Sequence, residues 1–447
     1  PTFPVISPMG PRQQVIGGVL TVLAGCAALQ IPGRASAPQC ERSGIFSHAL
    51  ARTLGACALS LSLLAPPTVE LLPNMLAPAA TRTLGSHVGG AAYARELASG
   101  SGSKVNKDPL SLLRLGLPLQ PKEVRDLQAA LEDAQDSLTR LLGSNANQAL
   151  GKATGVLKSS TKTIVKAAPA DKADVAQGYL DTITDAVKEA KEALASNQVQ
   201  PALAAQERAL LTLSSLEELI ATGYKQPSPP AEFKGQPYLQ GRALVELTLK
   251  RDGEKFDVDG ALFDKLDVQM VVDGYTAPLT AGNFVDLVGR GFYDGMHIQR
   301  SDGFVVQTGD PSAEGKGEKH GFTPPGETKE RKIPLEVFVK GDKNPIYGST
   351  FDDDGRGGYA SVLPFNAYGA LGMAREEYDS DSASSQWFWL LFDSDLTPAG
   401  KNLLDGRYSC FGYTVKGARL LSDVKEGDVI VSARVVSGFD NLRTVGS

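Results

Sequence analysis

Between Pro121 and Ile220 apolar residues recur at steps of three and four, whereas from Leu239 onward they alternate with a period of two. In PKEVRDLQAALEDAQDSLTRLL, which begins at Pro121, Val124, Leu127, Leu131, Ala134, Leu138 and Leu141 fall on one helix face with charges opposite. Pro121 suits the first helical position, where a missing N–H costs nothing. A second helix carries Leu150, Ala153, Leu157, Ile164 and Ala168 on one side. A third, with Asp171 as its N-cap, turns Val175, Leu180, Ile183, Val187, Ala190 and Leu194 inward. The fourth presents Val199, Leu203, Leu210, Leu213, Leu216 and Ile220. Four amphipathic helices on short links predict an antiparallel, all-α bundle over 105–224. It holds no histidine or cysteine and its acids are spaced as a solvated face, so binding or regulation is expected of it rather than chemistry.

KQPSPPAEFKGQP, residues 225–237, places four prolines in a short polar stretch and reads as a semi-rigid linker. Beyond it ALVELTLK, FDKLDVQMVVDGY, HIQRSDGFVVQTGD, WFWLLFD, SCFGYTV and VIVSARVVSG alternate as strands between Gly, Asp and Pro turns. NFVDLVGRG, at 283–291, is helical, with Phe284, Leu287 and Val288 on its apolar face and Thr280 or Asn283 as its cap. The layout predicts a closed antiparallel β-barrel with capping helices over 238–443.

Acidic residues are scarce before Glu96, and two uncharged apolar runs, 15–29 and 53–69, are each followed by an Ala-x-Ala site, Ala35–Ala37 and Ala77–Ala79. Both runs are shorter than the roughly 18–20 residues of a spanning helix. The expectation is a tandem targeting region and flexible leader over 1–104, removed in two steps and leaving no membrane span after processing. The net charge of -6 offers no basic footprint for nucleic acid. Three of the four cysteines, Cys26, Cys40 and Cys57, lie in that leader; Cys410 reads as a buried apolar residue. The sequence has no CxxC pair, HExxH or His-x-His, so no metal or cofactor is expected. DDDGRGG, at 352–358, lacks the spacing of a calcium loop, and His320 reads as a solvated loop residue.

Four ordered segments resemble the cyclophilin peptidyl-prolyl cis-trans isomerases: APLTAGNFVDLVGRGFYDG, QRSDGFVVQTGDP, LGMAREEYDSDSASSQWFWLL and LLDGRYSCFG. The similarity extends over about 105–443 to the multidomain thylakoid-lumen branch of that family, helical module included. The resemblance implies that Arg300 donates to the prolyl nitrogen and that Gln307 helps to place it. It implies a proline slot of Phe304, Phe388 and Leu404, with Gln386 beside them. Val305 stands where the family usually has methionine, Arg375 where it has a substrate-binding asparagine, and Tyr408 where it has a pocket histidine. Ile298-Gln299 replaces Phe-His, and the loop from Arg300 to Phe304 is one residue short. These departures point to recognition of X–Pro segments with weak or absent turnover; the alternative is a fully active general folding catalyst. The branch further implies a chloroplast thylakoid-lumen location, lumenal photosystem II loops as partners in assembly and maintenance, and a helical module that restrains the pocket.

Overall fold

The computed structural model describes residues 105–314, 320–392 and 402–447. The targeting region expected over 1–104 lies outside the described residues. Among the described residues five α-helices come first: α1 (Pro109–Leu115), α2 (Lys122–Thr139), α3 (Gly143–Ala167), α4 (Ala173–Ala195) and α5 (Val199–Ala221). Helices α2 to α5 pack in succession, and α5 returns against α2. Leu127, Leu131, Leu150, Leu157, Leu180, Ile183, Leu213 and Leu216 fill their shared seam. Three details differ from the periodicity reading. Leu141, expected on the apolar face of α2, lies past the helix end and is exposed. Asp171 sits in a 3-10 turn, Ala170–Lys172, and does not cap α4, which starts at Ala173. Val175 is 48% exposed because the seam of α4 runs through Ala176, Leu180, Ile183, Val187 and Ala190.

Helix α1 carries no four-turn periodicity and is set by local chemistry. Asp108 accepts the Ser111 N–H at 2.8 Å and Pro109 occupies its first turn. Its Arg114 is buried, donating to Glu132 Oε1 (2.9 Å) and Ser214 Oγ (2.9 Å), which ties α1 to α2 and α5.

Fourteen strands follow: β1 (Pro237–Leu239), β2 (Arg242–Lys250), β3 (Phe256–Val258), β4 (Ala261–Phe263), β5 (Leu266–Asp273), β6 (Ile298–Ser301), β7 (Val305–Thr308), β8 (Glu336–Val337), β9 (Ile346–Tyr347), β10 (Ala370–Met373), β11 (Trp387–Leu390), β12 (Cys410–Lys416), β13 (Val429–Ser437) and β14 (Leu442–Thr444). Eight form one antiparallel sheet in the order β13-β2-β5-β12-β10-β11-β7-β6. Its outer strands meet only over residues 295–298 and 427–430, through the His297–Val429 bridge and bonds such as Ile298 N–H to Asp428 O at 2.7 Å. Beyond it, Ser301 Oγ donates to the Val424 carbonyl (2.6 Å). The closed barrel expected from the sequence is thus a curled antiparallel sheet whose edges touch at one corner.

Helix α6 (Pro278–Gly289) fills the concave side. Neither Thr280 nor Asn283 caps it, since both lie inside the helix. The cap comes from 57 residues away: the Glu336 carboxylate accepts the N–H groups of Leu279 (3.0 Å) and Thr280 (2.7 Å). Burial pushes this carboxyl up to about 7, against the pull of those amides.

Alternation along β11 divides two apolar clusters. Trp387 and Trp389 point into the concave core with Phe284, Tyr293 and Phe411, while Phe388 and Leu390 face the convex side. Trp387 and Trp389 stand 4.4 Å apart and Phe284 meets Trp387 edge-on at 5.1 Å. Cys410 is buried on the convex side and desolvation pushes its thiol well above the usual range.

Candidate active site

The site is built on the β6–β7 hairpin. Arg300 lies opposite Gln307, and Phe388 of β11 lies opposite Gln307 on the other side. Between the two strands the chain turns through Asp302 and Gly303, whose φ of +78° suits glycine. The Asp302 carboxylate organises this turn. Its Oδ1 accepts the N–H groups of Phe304 (3.0 Å) and Val305 (2.9 Å), and its Oδ2 accepts the Arg300 Nε–H (2.7 Å) and an Nη2–H. Burial opposes its ionisation, yet the two amides and the guanidinium outweigh that and hold the carboxyl below its ordinary value.

Arg300 is mostly buried, its side chain 12% exposed, and its Nη1 is a buried donor with no partner among the described residues. Gln307 lies beside it, but its Nε2 donates to Gln386 Oε1 (3.0 Å) and not to Arg300. Gln386 in turn donates to the His320 carbonyl (3.0 Å). Gln307 Oε1 is left as a buried acceptor with no partner. A donor and an acceptor are thus left without partners on cross-strand neighbours.

Apolar residues gather next to them. Val305, Phe388 and Leu404 belong to one buried cluster, with Phe304 and Tyr408 at its edge. Phe388 stacks on Phe365 at 6.1 Å and meets Tyr408 edge-on at 5.9 Å; Phe304 packs on Phe392 at 5.1 Å. A β-carbon at Gly372 would stand 2.2 Å from the Phe388 ring, so this glycine makes room for the phenylalanine. The loop bearing Leu404 is fixed by Asp405, which accepts the Phe365 N–H (2.7 Å), and by Asn402, which donates to the Phe365 carbonyl (2.8 Å). Burial raises the Asp405 carboxyl to about 6 despite those amide bonds.

Arg375 stands apart from the hairpin. Its guanidinium donates to the carbonyls of Arg407, Glu376 and Glu377 at 2.7–3.0 Å and lies 5.0 Å from the Tyr408 ring. Its donors are spent on the walls of the site, and it orients Tyr408. His320, expected as a solvated residue, contacts Asp310 Oδ2 (3.0 Å) and Ser312 Oγ (2.9 Å) through Nδ1. Among the described residues no group of His, Cys, Asp and Glu could hold a metal ion, and no helix is long and apolar enough to cross a membrane.

Two features of the site lie beyond the helical and strand periodicities. Asp302 shows in sequence only as an acid two residues after the arginine. Leu112 and Leu113 of α1 belong to the same buried cluster as Val305, Phe388 and Leu404. They come from more than 190 residues earlier in the chain.

The hairpin thus brings a largely buried arginine and a cluster of aromatic and aliphatic side chains together on a curled sheet plugged by a helix. The chain belongs to the cyclophilin-type peptidyl-prolyl cis-trans isomerases. Residues 261–445 match the family model described as cyclophilin type peptidyl-prolyl cis-trans isomerase/CLD. Residues 108–221 match that of the peptidyl-prolyl cis-trans isomerase CYP38-like, PsbQ-like domain. It is 41% identical to the chloroplastic peptidyl-prolyl cis-trans isomerase CYP38 of Arabidopsis thaliana, over 75% of each chain. Identity is again 41% to a putative thylakoid lumen peptidyl-prolyl cis-trans isomerase of Synechocystis sp., over 75% of this chain and 84% of the other. The chloroplastic CYP37 of Arabidopsis thaliana is 32% identical over 76% of this chain and 72% of its own.

Proposed function

We propose that this chain is a thylakoid-lumen cyclophilin that binds X–Pro segments, turns them over slowly, and serves the folding, assembly and maintenance of photosystem II. Rotation about a peptide bond faces a barrier of about 18–20 kcal/mol because the nitrogen lone pair is delocalised. A fixed donor aimed at the prolyl nitrogen favours the pyramidal transition state, in which that lone pair is localised. Arg300 Nη1 is such a donor, and Phe304, Phe388 and Leu404 grip the ring. No proton transfer or covalent intermediate is needed.

Slow turnover follows from what surrounds the arginine. Its charge is offset by Asp302, and Gln307 is engaged with Gln386. The observation that carries the binding reading is the convex apolar cluster itself, where slot residues share their burial with Leu112 and Leu113 of α1. In this reading the helical module restrains the slot, and clients compete with α1. The lumenal location is supported by the names of the relatives in Arabidopsis and Synechocystis. The proposed partners are proline-containing lumenal loops of photosystem II subunits.

A protease-coupled assay on the full chain with a proline tetrapeptide tests this. The expected result is a rate well below that of ordinary cyclophilins, reduced tenfold or more by Arg300→Ala, with peptide binding retained. Turnover at the ordinary cyclophilin rate would make it a general folding catalyst instead.

A further inference from the structure

We infer that Asp302 is a positioning residue for Arg300: it fixes the guanidinium by its Nε–Nη2 edge and so leaves Nη1 as the donor offered to the prolyl nitrogen. The inference rests on the proposed role of Arg300 and deepens it.

Three observations carry it. First, an arginine side chain has many rotamers, and a donor is useful to a transition state only when its direction is settled beforehand. Secondly, the neighbour across the strand does not settle it, since Gln307 Nε2 is committed to Gln386. Thirdly, Asp302 Oδ2 takes both Nε–H and Nη2–H of Arg300, which fixes the plane of the guanidinium, while Nη1 remains buried and unpartnered. The carboxylate is itself immobile because its other oxygen is held by two backbone amides of the same turn. The shortened loop makes this possible by placing an acid two residues after the arginine, at the head of the turn.

The arrangement has a chemical consequence. A carboxylate partner directs the guanidinium but also offsets its charge, so Nη1 becomes a well-aimed and weakened donor. Direction and strength are set by the same residue.

Asparagine separates the two jobs. It has one side-chain oxygen where aspartate has two, so Asp302→Asn can satisfy the turn amides or the guanidinium, not both. In the full chain, the Arg300 Nε–H proton should exchange slowly with solvent in the parent and at least tenfold faster in Asp302→Asn. Isomerisation of a proline tetrapeptide, followed by NMR exchange so that slow turnover is visible, should show kcat reduced about tenfold with KM within twofold, since a misplaced donor costs rate rather than grip. In an Arg300→Ala background the same substitution should leave kcat unchanged. An Arg300 Nε–H that stays protected in Asp302→Ala, which keeps no side-chain oxygen, overturns the inference, as does an equal loss of kcat in both backgrounds, which marks a purely structural turn residue. If the parent shows no turnover, the residual activity in the proposed function is refuted, and the Nε–H exchange still decides whether Asp302 positions Arg300.

Discussion

The concave and convex faces of β11 differ in how they are covered, although they alternate residue by residue. On the concave side Trp387 and Trp389 are sealed by Phe284 of α6, Tyr293 of the turn that follows it and Phe411 of β12. On the convex side Phe388 and Leu390 belong to a buried cluster that also holds the loop residues Leu363, Phe365 and Leu404 and Leu112 and Leu113 of α1, which packs on β12. The first face is the scaffold's own core. The second is assembled from remote segments and borders the polar groups of the site, so what covers it bears on access as well as stability. A concave residue therefore reports on folding alone, a convex one on folding and binding together.

The sharpest break between the faces should come from Trp387→Ala. Removing a fully buried indole from the concave core should cost about 3–5 kcal/mol in chemical denaturation. Affinity for a proline peptide in the fraction that remains folded should be unchanged. On the convex side Leu113→Ala should cost about 2–3 kcal/mol by the same cavity argument. Isothermal titration of the full chain should then show tighter peptide binding, because α1 holds the slot less firmly; weaker or equal binding would refute the restraint. Gly372→Ala should cost about 1–3 kcal/mol by overpacking, since its β-carbon meets the Phe388 ring. Its slot would be narrowed, and peptide affinity should fall.

A pH-dependent effect is expected where the bundle meets the sheet. Arg242 of β2 donates to the Leu113 carbonyl of α1, to Asp273 Oδ2 (2.8 Å) and to Glu218 Oε1 (3.3 Å). Next to Glu218 on α5, Glu217 is buried with both carboxyl oxygens unpartnered. Burial raises its carboxyl to about 8, and the charges of Arg114, Arg125 and Arg242 offset this only in part. The folded state then binds this proton more tightly than the unfolded chain. Its contribution is fully present below about pH 4.5 and is lost as pH rises towards about 8. Glu217→Gln, a neutral isostere, should flatten that part of the stability curve while changing little at its acid end. An unchanged slope in urea denaturation between those limits would refute this account.

Much of this was readable from periodicity. Steps of three and four located α2 to α5 because each helix buries one stripe, and alternation located the long strands because each buries one face. Where two apolar residues were adjacent, as with Val175 and Ala176, period alone left the phase open, and packing chose the smaller residue. Helix α1 escaped because seven residues are too few to show a period. The N-terminal cap of α6 escaped because Glu336 is remote in sequence. Family motifs named Arg300, Phe304, Gln307 and Phe388, but motifs carry identity and not partners. They gave no sign that Gln307 bonds to Gln386 or that Arg375 spends its donors on backbone carbonyls.

By itself the sequence determined that a helical module precedes an alternating, cyclophilin-type domain, and which residues stand where the family's motifs place its pocket. Those are properties of spacing and residue type, which local physics and motif order fix. Only the tertiary structure decided that Asp302 holds Arg300, that the sheet's edges meet at one corner, and that α1 completes the apolar face behind the slot. Each depends on which unsatisfied donor or uncovered apolar surface finds a partner once the chain is compact, and that pairing joins residues whose sequence separation carries no signal.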